Sequence, residues 1–370
     1  MNSNETRQIP EYLKDYFTEY TQFHYYLETE YSAKEYRKLE SRFICLKSFA
    51  SSTPLVNSAA FLNGSSGGGY FFQFMGKGIV VDPGINFAVS MHNNHIFVDD
   101  IDFVIVTHNH LDHNSDLQAI SSLLHDYNRA QTKDSSFYAE FFPESSVKQR
   151  RIKWILDEGT KEASKSFLNE EDIILLSQCL DDSGGYNLWD GDECVTLNSI
   201  HTQHIADCTE TYGIKLTFKN KHNTAHWGYT SDSVYLDSFQ SFFADCEAII
   251  LNISDIYYKD VLMMKAKHSH LGFMGCVQLL SVTKPKIAII SEFCCTNGDY
   301  RLEIVRALRE QLNDNSIVIV PSDQGMNLSI FLSGIECTVC HADTAIQSLK
   351  VIRPNGEYTR LKFLCPNCLL

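Results

Sequence analysis

Val104-Ile105-Val106-Thr107-His108-Asn109-His110-Leu111-Asp112-His113 decides the reading of this chain. Val104 to Val106 is an unbroken β-branched run, the pattern of a strand buried on both faces. It leads directly into three histidines and an aspartate within six residues. Side chains of an extended segment repeat every second residue, so His108 and His110 point the same way. Asp112 and His113 are neighbours and diverge. The stretch therefore offers two groups to one ion and two to another. Imidazole with carboxylate suits zinc, manganese or iron. A loop rich in histidine by chance is the plain alternative, but binding residues tend to sit where this stretch does, directly behind a core strand.

The rest of the chain has enough apolar material to build around that strand. Of 370 residues 44% are hydrophobic, which suits one large α/β domain with an appendage and argues against global disorder. The net charge of −15, from 46 acids against 31 bases, excludes a broad cationic face for duplex DNA. It leaves nucleotide or RNA substrates open, because bound metal ions can supply local positive charge. The opening MNSNETRQIPEYLKDYF has neither the basic nor the apolar region of a signal peptide. No apolar run reaches the roughly 18 residues of a membrane span, so the expectation is a cytoplasmic protein without a membrane partner.

Further elements follow in a regular order. Residues 1–54 read as a helical N-terminal arm, rich in aromatic residues between 11 and 31, that packs on its own domain. Residues 70–74 and 78–84 read as two antiparallel strands closed by Asp82-Pro83-Gly84. A helix is expected over 114–127. The polar segment 128–190 reads as an insertion with helical pieces at 149–157 and 160–167, a lid or specificity element if it is not simply solvated. A strand then ends in His201-Thr202-Gln203-His204, and its alternating phase favours His201 over His204 as the functional histidine. Gly228-Tyr229-Thr230-Ser231-Asp232 closes a later strand. His268-Ser269-His270 opens an apolar helix, and Glu292 ends the strand after it.

The pattern H-x-H-x-D-H at His108, His110, Asp112 and His113 resembles that of the metallo-β-lactamase superfamily. Gly-Tyr-Thr-x-Asp resembles the motif whose aspartate bridges two metals, and the order of the elements around 55–333 is similar too. The resemblance implies an αββα sandwich with metals at one edge. It implies that His108, His110 and His201 hold one ion, and that Asp112, His113 and either Glu292 or His270 hold the other. Asp232 would bridge, and Asp82 would orient a ligand by hydrogen bonding. RNase Z-like and phosphodiesterase members have a histidine where Glu292 stands; a carboxylate there would favour Mn2+ or Fe2+ over Zn2+ at one of the two catalytic sites. Asp112 and His270 are the residues expected to take part in the chemistry, His270 as proton donor or phosphate contact.

Twelve cysteines complete the inventory. Eight (Cys45, Cys179, Cys194, Cys208, Cys246, Cys276, Cys294, Cys295) lie in apolar or mixed segments and read as small hydrophobes. Cys337-x2-Cys340 and Cys365-x2-Cys368 bracket a hairpin-like stretch in the tail 334–370, the pattern of a zinc ribbon with one structural Zn2+. The expected activity is hydrolysis by a two-metal-activated water, first of a phosphodiester in RNA or a cyclic nucleotide. A lactone, thioester or amide hydrolase is the alternative, and a metal-binding sensor without catalysis the third reading. The ribbon and the N-terminal arm are candidate recruiters of a partner, either a homodimer mate or a nucleic acid strand.

Overall fold

The computed structural model describes Glu11, Lys14 and residues 41–50, 67–130, 149–204, 210–254, 256–264, 270–294, 299–354 and 360–369. The helices expected over 11–31 otherwise lie outside these residues, as do Cys208, Cys295 and the whole of 131–148.

The chain builds two large sheets. The first takes β1 (Arg42–Cys45), β2 (Tyr70–Phe74), β3 (Lys77–Val81), β4 (Phe103–Val106), β5 (Lys153–Leu156) and β6 (Ile173–Leu175). The second takes β7 (Tyr186–Trp189), β8 (Cys194–His201), β9 (Tyr212–Lys219), β10 (Thr224–Tyr229), β11 (Ala248–Ser254), β12 (Ile287–Phe293) and β13 (Val318–Pro321). The chain then returns to the first sheet with β14 (Asn327–Ser329), β15 (Ile335–Glu336) and β16 (Asp343–Thr344), and ends in a two-stranded ribbon, β17 (Lys350–Ile352) with β18 (Lys362–Leu364). The sheet orders are β16-β15-β14-β1-β2-β3-β4-β5-β6 and β13-β12-β11-β10-β9-β8-β7.

The two-residue period of a strand sorts the core into layers. In β2, Tyr70, Phe72 and Phe74 face the other sheet, while Phe71 faces the outer helices. In β4, Phe103 and Ile105 point inward and Val104 and Val106 outward. In β11, Ala248 and Ile250 point inward, and Ile249, Leu251 and Ile253 meet the helices on the far side. Phe43 and Trp227 meet between the sheets with ring centroids 4.8 Å apart, and the Trp227 indole donates to the Ile330 carbonyl at 2.8 Å. Helices α1 (Phe87–Asn93), α2 (Leu111–Asn114) and α3 (Leu117–Ala130) follow β3 and β4, with α1 and α3 covering the first sheet. After β5 comes α4 (Glu158–Ser164). Helices α5 (Ser238–Phe242), α6 (Tyr258–Leu262), α7 (Gly272–Thr283) and α8 (Arg301–Leu312) belong to the second half, where α5, α7 and α8 cover the second sheet. The result is helix, sheet, sheet, helix. No helix of the described residues is long and apolar enough to cross a membrane.

Two local expectations are corrected. Arg42–Cys45, at the end of the arm read as helical, is a strand that pairs with β2 and β14; its buried Phe43 and Cys45 carry period two. Residues 149–157, read as a helix within an insertion, contain β5, paired parallel with β4 and β6. The charged residues before it disguise a short apolar Trp154-Ile155-Leu156, and β6 and β7 place two further stretches of the segment in the two sheets. Of the scattered cysteines that are described, four are buried as expected, and Cys194 and Cys294 are half-buried. Cys45, Cys179, Cys246 and Cys276 are buried free thiols, and burial pushes Cys45 and Cys179 up to about 12.

The tail is tied to this core by polar contacts around Arg301, which is 1% exposed. Its guanidinium donates to both oxygens of Asp299 at 3.0 Å and to Asp323 at 2.8 Å, and stacks 4.3 Å from the Phe49 ring. The other Asp323 oxygen accepts the Leu361 amide of the tail. Burial raises the Asp299 carboxyl, but the Arg301 guanidinium outweighs it and holds the group below the usual aspartate range. A folded-state value below the unfolded one gives stability that is full at neutral pH and lost as pH falls through the folded value. Asp299→Asn should therefore lower unfolding stability by about 1–3 kcal/mol at pH 7. In denaturant titrations the gap to wild type should narrow once pH falls below about 4.

Candidate metal centre

The histidine cluster sits at the carboxyl end of β4, beside the ends of β3, β10, β11 and β12. A single carboxylate organises it. Asp82, buried at the end of β3, accepts the Thr107 amide (2.8 Å) at one oxygen. Its other oxygen faces the Thr107 hydroxyl (2.7 Å), His113 Nδ1 (2.7 Å) and the Tyr229 hydroxyl (2.8 Å). His113 is thereby turned so that Nε2 looks the opposite way, buried without a well-formed hydrogen bond, 3.3 Å from Asp232 Oδ2 and 3.8 Å from Asp112 Oδ2. His108 is also fully buried, with Nδ1 near the Thr107 and Ser231 hydroxyls (3.2 and 3.4 Å) and Nε2 near His110 Nδ1 (3.2 Å).

Asp232 lies just beyond β10, after Ser231 in a left-handed conformation (φ 52°). Its Oδ1 accepts Asn252 Nδ2 at 2.9 Å, and the same amide reaches the Tyr229 hydroxyl at 3.0 Å. The aspartate is thus locked at one oxygen, and the other faces three imidazoles: His113 Nε2, His270 Nε2 at 3.5 Å and His204 Nε2 at 3.9 Å.

Three sets of donor atoms each lie within 4.8 Å of one another: His108, His110 and His204; His108, His113 and Asp232; His204, Asp232 and His270. His204, not His201, completes the first. His201 is exposed, its ring 4.7 Å from Tyr212. The buried face of β8 ends at Ser199; beyond it the chain turns, with Val234 donating to the Gln203 carbonyl at 2.9 Å, and carries His204 inward. Asp112 flanks His113 but belongs to none of the three sets. Glu292 belongs to none either: its carboxylate is ion-paired with Lys47, both buried. His270 opens the approach to α7. Lys47 and Asn252 were not legible as site residues, since a lone lysine and a lone strand asparagine carry no local pattern.

The electrostatics fit a cation. Burial and the neighbouring His113 charge push His108 well below the ordinary histidine range, so it is a neutral donor. Burial opposes charge on His113, but Asp232, Asp82 and Asp112 override it and raise the group well above that range. Burial likewise opposes charge on Asp232, and His113 overrides it and lowers the carboxyl. Carboxylates that hold a proton on a buried imidazole would hold a divalent ion in its place. The four tail sulfurs, Cys337, Cys340, Cys365 and Cys368, also lie within 4.8 Å of one another, around a small apolar cluster with Leu364.

The comparisons with known proteins agree with this architecture. The family model described as anti-Pycsar protein Apyc1 matches residues 56–287, which take in β2 through the start of β12 and the whole histidine cluster. The chain belongs to the Apyc1 family. Its fold is the metallo-β-lactamase fold, as in YhfI from Bacillus subtilis, similar at TM-score 0.56 and 14% identity over 78% of this chain and 98% of that one. The long form of RNase Z from yeast is similar at TM-score 0.54 and 11% identity over 80% of this chain, which spans 42% of that protein. Yeast PDE1 is similar at TM-score 0.51 and 11% identity over 78% of this chain and 99% of that one. No curated protein sequence matches the chain.

Two substitutions separate the geometry from the sequence reading. His204→Ala should cost at least tenfold in metal affinity by chelator competition, whereas His201→Ala should leave it unchanged. At the Asp-Pro-Gly turn, a Cβ on Gly84 would lie 1.9 Å from the Asp112 carbonyl oxygen. Gly84→Ala should therefore displace the Asp112 segment and reduce metal bound per chain, measured by elemental analysis.

Proposed function

We propose that this protein is a metal-dependent phosphodiesterase acting on a nucleotide-sized substrate, with a cyclic nucleotide ahead of RNA. The observation that carries the reading is the convergence of His113, His204 and His270 on one oxygen of Asp232, with His108 and His110 alongside. His108, His110 and His204 with Asp232 would hold one divalent ion; Asp112 and His113 with Asp232 would hold the other. Zinc suits the first set, and zinc, manganese or iron the second. Ions held there supply Lewis acidity toward phosphoryl oxygens and acidify water.

The chain's own residues do the rest. Asp82 fixes the ring of His113 and so the direction of its Nε2. Asn252 occupies one oxygen of Asp232 and leaves the other to the site. His270 is partly exposed, at the mouth of the cluster, and can give a proton to the departing oxygen of a phosphodiester. The neighbours named RNase Z and PDE1 support phosphodiester chemistry. The net charge of −15 disfavours a long polyanion and supports a small substrate. In the tail, the four thiolates suit one structural zinc ion.

Purified protein supplied with zinc or manganese should hydrolyse bis-p-nitrophenyl phosphate and a panel of cyclic nucleotides, with a lactone and a thioester as comparison substrates. His110→Ala should lose both metal and turnover. His270→Ala should lose about 10²–10⁴ in turnover while keeping its metal. A metal-loaded wild type that turns over the lactone or thioester but no phosphodiester would sink the proposal.

A further inference from the structure

Lys47 and Glu292 form a buried ion pair at the edge of the centre, on the side of Asp112 and His113. Lys47 is fully buried and Glu292 is 2% exposed. The Lys47 ammonium also approaches the Asp112 carbonyl oxygen at 3.4 Å. Glu292 stands at the strand end from which a last metal ligand would come, yet it joins none of the sets of donor atoms. Its backbone is left-handed (φ 56°), a conformation that a non-glycine residue keeps only when its surroundings hold it there.

Those surroundings are rigid on both sides of the pair. Next to Glu292, the Ser291 hydroxyl accepts from Tyr70 at 2.6 Å, and the Phe293 carbonyl accepts the Ala50 amide at 3.1 Å. Next to Lys47, the Ser48 hydroxyl donates to Asp323 and accepts the Gln324 amide at 3.1 Å. The Lys47 carbonyl accepts from the Cys45 thiol at 3.1 Å. These contacts fix the two backbones, and neither side chain can leave the other without a charge left buried and alone, which is strongly unfavourable.

We propose that Lys47 is a positioning residue that ties Glu292 off behind the centre. The ion beside Asp112 and His113 is then held by those two residues and Asp232 without Glu292. It exchanges faster than its companion at His108, His110, His204 and Asp232. The inference rests on the two-ion reading of the site, and its test reads metal retention, not turnover.

Zinc-loaded protein is exposed to EDTA, and ions remaining per chain are followed over time by elemental analysis. Wild type should release its centre ions in two phases. In Lys47→Met the released carboxylate becomes available as a ligand, and the faster phase should slow at least about tenfold. Glu292→Gln and the double variant Lys47→Met/Glu292→Gln should release that ion within about threefold of the wild-type rate. Loss more than about tenfold faster in both would make Glu292 a direct ligand and overturn the proposal. Lys47→Met releasing zinc as fast as wild type or faster would overturn it too, because a purely structural lysine would behave that way. If Lys47→Met does not fold, Glu292→Gln and the double variant decide the matter. Wild type that takes up zinc only at the tail cysteines would bring down the two-ion reading and this inference together; the other failures touch this inference alone.

Discussion

The carboxylate of Asp82 is the constraint on which the centre depends. It is fully buried, and its two oxygens meet four polar groups from three different elements: the Thr107 amide and hydroxyl after β4, His113 in α2, and Tyr229 in β10. A buried carboxylate with fewer partners would be costly; with these it becomes a joint. Because β3 and β4 belong to one sheet and β10 to the other, the same group that aims a histidine also pins the two sheets together at their active edge. Through Tyr229 and Asn252 the connection runs on to Asp232. Two residues of the centre that lie far apart in sequence, His113 and Asp232, are thereby oriented by one chain of hydrogen bonds.

The backbone around this joint is bent to serve it. Asp82, Ser231, Ser254 and Glu292 all have positive φ, and all lie at or just past the carboxyl ends of core strands. Residues in this conformation cost energy, and they persist where packing over-determines them. The apolar strands behind them supply that packing: β4, β11 and β12 are buried along nearly their whole length. A rigid double sheet thus allows a strained rim, and the strained rim turns polar side chains toward a common point.

Sequence legibility followed the same division. His108, His110, Asp112 and His113 were readable because they are contiguous and follow a strand that is hydrophobic throughout. Asp232 was readable because a short motif surrounds it. The double-sheet fold came with that motif order, and the strands came from period-two patterns strong enough to survive flanking charge; β5, with only Trp154, Ile155 and Leu156 to show, was not. His204 ranked behind His201 because strand phase stops being informative where the strand stops, and the turn that brings it inward is fixed by contacts with residues some 30 positions later. Lys47 and Asn252 were invisible for a related reason. Each gains meaning only from a partner brought in by the sheet topology: Glu292 for the lysine, Asp232 for the asparagine.

The charges then explain why this centre calls for cations. Asp82, Asp112, Asp232 and Glu292 converge on a poorly solvated volume, and Lys47 supplies a fixed positive charge to one of them. The remaining carboxylates press a proton onto His113 against the penalty of burial. A proton on that imidazole satisfies the charge but spends the one ring nitrogen aimed into the site. A divalent ion satisfies the same charge and uses the nitrogen as a donor. Binding of such an ion would be coupled to release of that proton, and its free energy would be shared with the folding of α2 and of the segments that carry His204 and His270. The acidity of the site and its architecture are two sides of one arrangement: a strained rim of carboxylates and imidazoles would gain stability from a divalent positive charge bound among them.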